Sequence, residues 1–380
     1  ALPRPRPALV RPSLPTLADY FSTSASKAQL TLSGFTIGFA FCQLIYGPLA
    51  DRYGRRWLLV GGIALYTVAS YLCSTATEID NLILYRFVQA VGGGAGVVLT
   101  RAIIRDLYSK EAGARALSLL LLAPSLAALI GPFIGGQILL WSEWNAIFWL
   151  LAILGALIFV LSIVKLPETL APDMRQSLGA MKILREYGMI LFDRRSLGFM
   201  LCGAFSFAGM FAQLSGTPFV YIQLFGVAPE HFGFLFALNI LGIMAGSYVN
   251  SRLVMRFGIR RMLIAGTTLA LIGGFLVAGF ATFGIGGLYG IVLPIVIFMM
   301  PHNIVNANAT AGALEAYPHI AGTASALIGA TRFATGALVG ALVGILHDGT
   351  ALPMAYVIAG CGLFSAAAFW FMTHEKNDKI

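Results

Sequence analysis

Arg86, Arg332 and His302 stand inside long apolar runs, where a charge or an ionisable ring needs a partner or a cavity. An arginine stays protonated at any physiological pH, so Arg86 and Arg332 can line or brace a cavity but cannot relay protons. Arg86 lies only a turn or so into its run and has the alternative of snorkelling to the surface, whereas Arg332 is near the middle of its run. A histidine can take up and release a proton, its reference pKa being near 6.5. His302 is therefore either a proton carrier or a hydrogen-bonded structural residue. It opens the polar run "PHNIVNANAT", in which Asn303, Asn306 and Thr310 recur at helical spacing and define one stripe. Such a stripe lines a water-filled cavity or makes hydrogen bonds between helices. Gln89, Gln213 and Asn239 are further polar groups placed near the aromatic residues named next. Phe205 and Phe211 in "FSFAGMF", with Phe232, Phe234 and Phe236, supply either an aromatic pocket wall or plain packing. No Asp or Glu falls in the interior of any of these runs. Paired carboxylates, or a nucleophile with its base, are missing at that depth, so an enzyme is not expected. Cys42, Cys73, Cys202 and Cys361 all fall within apolar runs without zinc spacing and read as packing residues; no metal and no cofactor is expected.

The elements that must position these side chains follow from hydropathy. Apolar residues make up 58% of 380 and charged ones 11%, against roughly 25% charged in a soluble domain. Eleven runs reach the length of about 20 residues that crosses a bilayer core. They fall near 28–50, 57–77, 81–100, 116–140, 145–164, 197–222, 232–251, 263–283, 288–311, 321–346 and 353–373. Runs this long must be helices, because lipid offers the backbone no hydrogen bonds. The expectation is an all-α polytopic membrane protein, with the lipid bilayer as its first partner.

The net charge of +9 is not spread evenly. Arg52, Arg55, Arg56, Arg101, Arg105, Lys165, Arg252, Arg256, Arg260 and Arg261 all fall in alternate loops. The intervening loops, 78–80, 141–144, 223–231, 284–287 and 347–352, hold no Lys or Arg. This asymmetry puts the basic loops and the C-terminus in the cytoplasm. It also accounts for the basic balance without a nucleic-acid partner.

The stretch 165–196 divides the chain. It reads as a partly helical cytoplasmic linker between a five-helix bundle at 28–164 and a six-helix bundle at 197–374, with a cytoplasmic tail at 375–380. The halves echo each other: "LADRYGRR" at 49–56 matches "LVMRFGIRR" at 253–261, with Arg52 against Arg256 and Gly54 against Gly258. Parallel repeats of this kind are a transporter architecture. Glycines 336, 340 and 344 recur every fourth residue and permit close helix contact.

Three motifs carry a resemblance. "GPLADRYGRR" (47–56), "LILYRFVQAVGGGAG" (82–96) and "GPFIGG" (131–136) resemble signatures of the major facilitator superfamily, the last one the mark of exporters that exchange drug for proton. "PSLPTLADYF", "GFAFCQLIYGPLAD", "PFVYI" and "HIAGTASAL" look like its bicyclomycin and chloramphenicol resistance (Bcr/CflA) subfamily. The resemblance implies two pseudo-symmetric bundles around a central cavity, with about 11 of the usual 12 helices. It implies proton-coupled efflux of small amphiphilic drugs by a monomer in a bacterial inner membrane, with the proton as coupling ion. Gly47, Asp51, Arg52, Gly54, Arg55 and Arg56 would latch the cytoplasmic side, and Gly131, Pro132, Gly135 and Gly136 would shape the interface between halves. Residues 1–27, rich in Pro and Arg before Pro12, replace the expected first helix and its aspartate, with Ala8 at the position of that aspartate. A truncated, non-transporting remnant and a metabolite transporter are the alternatives.

Overall fold

The computed structural model describes residues 17, 18, 20–107, 131, 134, 135, 137, 138, 141–170, 180–317 and 320–373. The fold is helical throughout these residues, with no strand among them. The first bundle holds α1 (Ala25–Tyr53), α2 (Arg56–Ser74), α3 (Ile79–Leu107) and α4 (Asn145–Lys165). A 13-residue helix, α5 (Ala180–Phe192), lies in the linker. The second bundle holds α6 (Arg194–Pro218), α7 (Pro229–Phe283), α8 (Gly287–Met299), α9 (His302–Leu314), α10 (Ala321–Ile345) and α11 (Leu352–Met372). Ten of the eleven expected runs coincide with these helices, while 116–140 lies mostly outside the described residues.

Two expected runs are shaped by local breaks. α7 continues through 55 residues but turns at Gly258, so it supplies two spans. The run 288–311 is interrupted at Met300 and Pro301, since proline cannot continue the hydrogen-bond ladder; His302 thus opens its own helix. Helix starts are capped from the sequence: Ser24 accepts from the Lys27 amide, and Asp193 accepts from the amides of Arg195 and Ser196.

The repeat is visible in the backbone. Gly54 has φ 96° and ψ 167°, and Gly258 has φ 77° and ψ 165°, a region open essentially to glycine alone. Both sit at the turn between a helix and the next, which is why the two loops share a glycine.

α1 packs on α3 within its own bundle and along α10 of the other. α2 lies on α3 and α4; α6 lies on α9, α10 and α11; α7 lies on α8, α9 and α11. The α1–α10 seam is antiparallel. A Cβ on Gly329 would stand 3.1 Å from the Gln43 amide, and one on Gly340 would stand 3.1 Å from Ser215 Oγ and 3.7 Å from Ser33 Oγ. Gly344 meets Gln29, and Ser26 Oγ donates to the Gly344 carbonyl. The recurring glycines thus let polar side chains of α1 and α6 lie against α10, and Gly336 lies against Phe211 and Phe207. At the end carrying few basic residues, Leu17 packs with Cys73, Ala76, Ile79, Leu82 and Trp144, and Lys27 pairs with Asp80 at 2.8 Å. Residues 1–16 lie outside the described ones, and with them Ala8. The four cysteines are buried and free.

Candidate functional site: an aromatic bridge between two arginines

Arg86 on α3 does not snorkel. Its guanidinium carbon stands 4.1 Å from the centroid of Phe35 on α1 and 5.5 Å from that of Phe148 on α4. Its Nη1 donates to Gln89 Oε1 at 2.6 Å, and Gln89 Nε2 donates to Ser70 Oγ on α2 at 2.7 Å. Ring faces and an amide oxygen, rather than a carboxylate, therefore hold the charge in place.

From Phe35 a chain of rings crosses the molecule. Phe35 meets Phe39 at 5.2 Å, Phe39 meets Phe333 on α10 at 5.2 Å, and Phe333 meets Phe207 on α6 at 5.1 Å. Phe207 in turn contacts Phe211 at 5.2 Å and the His302 ring at 6.0 Å. Ring separations of 4.5–7 Å are those of attractive aromatic pairs. Next to Phe333, Arg332 Nη2 donates to the Asn306 carbonyl at 2.9 Å and to Thr310 Oγ1 at 2.6 Å. Asn306 Nδ2 donates to the His302 carbonyl at 2.9 Å and lies beside the His302 ring. Arg86, the rings, Arg332, Asn306 and His302 thus form one continuous arrangement shared by both bundles. Gln213 and Asn239 are buried in the second bundle with amide atoms that have no hydrogen-bond partner among the described residues.

Some sequence expectations need correction. Phe205 pairs with the exposed Phe364 of α11 at 5.3 Å and stands outside the ring chain. The polar stripe divides: Asn306 and Thr310 serve Arg332, but Asn303 donates to Ser247 on α7 at 2.8 Å, because α9 is wedged between α6 and α7. Asn308, not singled out from sequence, donates to Asn250 Oδ1 at 2.7 Å across the same contact. Gly47, Gly131 and Gly135 have no atom of another described residue within 4 Å of a Cβ placed on them. Pro132 and Gly136 lie outside the described residues.

The basic motif is a buried ion cluster of the first bundle. Arg55 is 4% exposed; its Nη1 meets Asp51 Oδ1 at 2.8 Å and its Nε meets Asp106 Oδ2 at 3.1 Å. Glu168, just past α4, accepts from the backbone amides of Arg55 at 2.8 Å and Arg56 at 3.3 Å, capping α2. A Cβ on Gly54 would stand 2.9 Å from that carboxyl carbon. Burial pushes the Glu168 pKa upward, but the amides of Arg55, Leu170, Arg56 and Thr169 outweigh it and hold it below the ordinary carboxylate value. Arg56 Nη2 donates to the Ile163 carbonyl at 2.9 Å, while Arg52 is exposed over the Tyr53 ring. The ion pairs therefore tie the α1–α2 turn to α3, and the Glu168 carboxylate on the Arg55 and Arg56 amides ties the same turn to the end of α4, within one half. Asp106 and Glu168 lie 51 and 113 residues from Arg55, so no local spacing marks them; the "PET" after α4 is a local signal for Glu168 alone.

Residues 8–341 match the family model described as Major Facilitator Superfamily. The chain is similar to the bicyclomycin resistance protein homolog of Haemophilus influenzae, 34% identical over 96% of this chain and 92% of that protein. It is also similar to the chloramphenicol resistance protein of Pseudomonas aeruginosa, 27% identical over 83% of this chain and 74% of the other. These relatives agree with the Bcr/CflA resemblance read from the motifs. Among solved structures, a D-xylose-proton symporter superposes with a TM-score of 0.73 over 97% of this chain and 94% of its own, at 16% identity; this likeness shows the fold.

Proposed function

The chain belongs to the Major Facilitator Superfamily, whose fold is that of membrane transporters, and from that premise we propose that it exports small amphiphilic drugs across a bacterial inner membrane in exchange for protons. The resistance proteins among its relatives support the substrate class. The observation that carries the reading is the ring chain from Phe35 to Phe207, which spans both bundles and ends at Arg86 on one side and at the Arg332–Asn306–His302 cluster on the other. A mainly aromatic lining with a few placed polar groups suits amphiphiles. A site split between halves changes shape when the halves rock, which is how one site serves both sides.

The coupling proton in this reading is carried by His302. Among the described residues no carboxylate lies within the ring chain or beside it, and the two arginines cannot release a proton. His302 touches Phe207 directly, so its charge changes against a ring that would contact the drug.

Everted vesicles energised by an imposed proton gradient, with a fluorescent amphiphile as cargo, test the reading. Arg332→Ala at parental abundance should abolish uptake, since a midspan cation held by Thr310 and the Asn306 carbonyl serves the site. His302→Asn should keep downhill movement but lose gradient-driven accumulation. Full accumulation by the first variant sinks the site; full accumulation by the second sinks the proton assignment alone.

A further inference from the structure

α5 is not a span: within 13 residues it carries Lys182, Arg185 and Glu186. Its two faces differ. On one face Ile190 is buried, Tyr187 Oη donates to the Leu44 carbonyl of α1 at 3.3 Å, and Glu186 Oε2 accepts from Thr323 Oγ1 of α10 at 2.8 Å. This short helix therefore touches both bundles at the end where the basic loops lie. On the other face Met181, Leu184, Met189, Leu191 and Phe192 are exposed, Phe192 by 92%.

That outer face is amphipathic in a specific way. Lys182 and Arg185 are exposed on it, and neither pairs with a carboxylate among the described residues. Arg194 follows immediately, exposed, with its Nη2 on the Phe371 carbonyl. Phe192 abuts Asp193, the cap of α6, so the exposed apolar residues end at the level where a span enters the bilayer. A water-facing helix would not show five large apolar side chains, and a hydrocarbon-facing one would not carry two free cations beside them. Apolar residues beside unpaired cations, at the rim of a bilayer, suit a helix lying in the headgroup region. The sign of the charge selects its occupant, because basic residues at that depth attract anionic lipid.

We propose that the outer face of α5 docks on anionic phospholipid headgroups of the leaflet facing the basic loops. The inner face is tied to Leu44 and Thr323, so a docked helix favours the arrangement of α1 and α10 in which those contacts exist. Lipid charge then biases one access state of the transporter. The inference stands whether or not drugs are the cargo.

Hydrogen–deuterium exchange of residues 180–192, with the full chain in vesicles, tests it. Exchange is compared in pure phosphatidylcholine and in phosphatidylcholine carrying phosphatidylglycerol at about 30% of the lipid. Two cations near an anionic surface should slow exchange roughly ten- to thirty-fold in the charged vesicles. Lys182→Gln with Arg185→Gln should remove that difference, and high salt should shrink it in the parent. Equal exchange in both vesicles overturns the proposal, as does a lipid-charge effect that survives the double substitution. Protection that appears only when a soluble protein fraction is added, in either vesicle, would assign the face to a protein and overturn it too.

Discussion

Phe39 of α1 and Phe333 of α10 meet at 5.2 Å between ring centroids, joining the first bundle to the second. Each ring has a further aromatic neighbour on its own side, Phe35 at 5.2 Å and Phe207 at 5.1 Å. Replacing either by Ala breaks the chain at its crossing point. Phe39→Ala or Phe333→Ala should lower drug accumulation in vesicles about tenfold or more, while Phe205→Ala, whose partner is Phe364, should leave it near the parent. Equal losses from all three substitutions would mean that the rings only pack.

Arg55 discriminates between its two carboxylates by burial. The Asp51 side chain is 44% exposed and that of Asp106 16%, against 4% for Arg55. Removing the more buried partner leaves more of the guanidinium charge uncompensated, on the order of 3–5 kcal/mol for a fully buried pair and far less for an exposed one. Asp106→Asn should therefore lower the melting temperature of the detergent-purified protein more than Asp51→Asn. The reverse order, by fluorescence-monitored unfolding, would contradict this account of the motif.

Glu168 gives a pH signature. Its folded pKa lies below the ordinary carboxylate value, so its contribution is present above that ordinary value and is lost as pH falls through the lowered folded one. Glu168→Gln should cost about 1 kcal/mol near neutrality, the scale of a lost helix cap. The gap between parent and variant should close as pH drops from the ordinary glutamate value, about 4.3, through the lowered folded one. A gap that stays constant down to the lowest pH would show that shape, not charge, does the capping.

The glycines of α3 are not equivalent. A Cβ on Gly92 would stand 2.7 Å from the Gly62 carbonyl oxygen and 2.9 Å from the Tyr66 Cα, both backbone atoms of α2, whereas one on Gly96 would meet nothing within 4 Å among the described residues. Gly92→Ala should force α2 and α3 apart and reduce membrane abundance severalfold, by about 1–3 kcal/mol of overpacking. Gly96→Ala should be neutral or slightly stabilising, since alanine is the better helix former. Quantitative immunoblotting of membranes compares them, and matching abundances would refute the close contact.

The sequence by itself determined which segments are long and apolar enough to span a bilayer, which loops carry the basic charge, and that the two halves share a glycine turn. Run length, loop charge and a shared glycine turn are local properties, and lipid leaves the backbone no alternative to helices. Gly54 and Gly258 could be matched by eye because their unusual φ admits little else. Only the tertiary structure decided which faces meet. Helical spacing put Asn303, Asn306 and Thr310 on one stripe, yet α9 sits between two neighbours and divides them. Phe205 and Phe207 are two residues apart and point to different partners, Phe364 and Phe333. Asp106 and Glu168 complete the Arg55 cluster from far along the chain. Hydropathy says that a helix is buried in lipid or protein, but its rotation about its own axis is set by the side chains that pack against it.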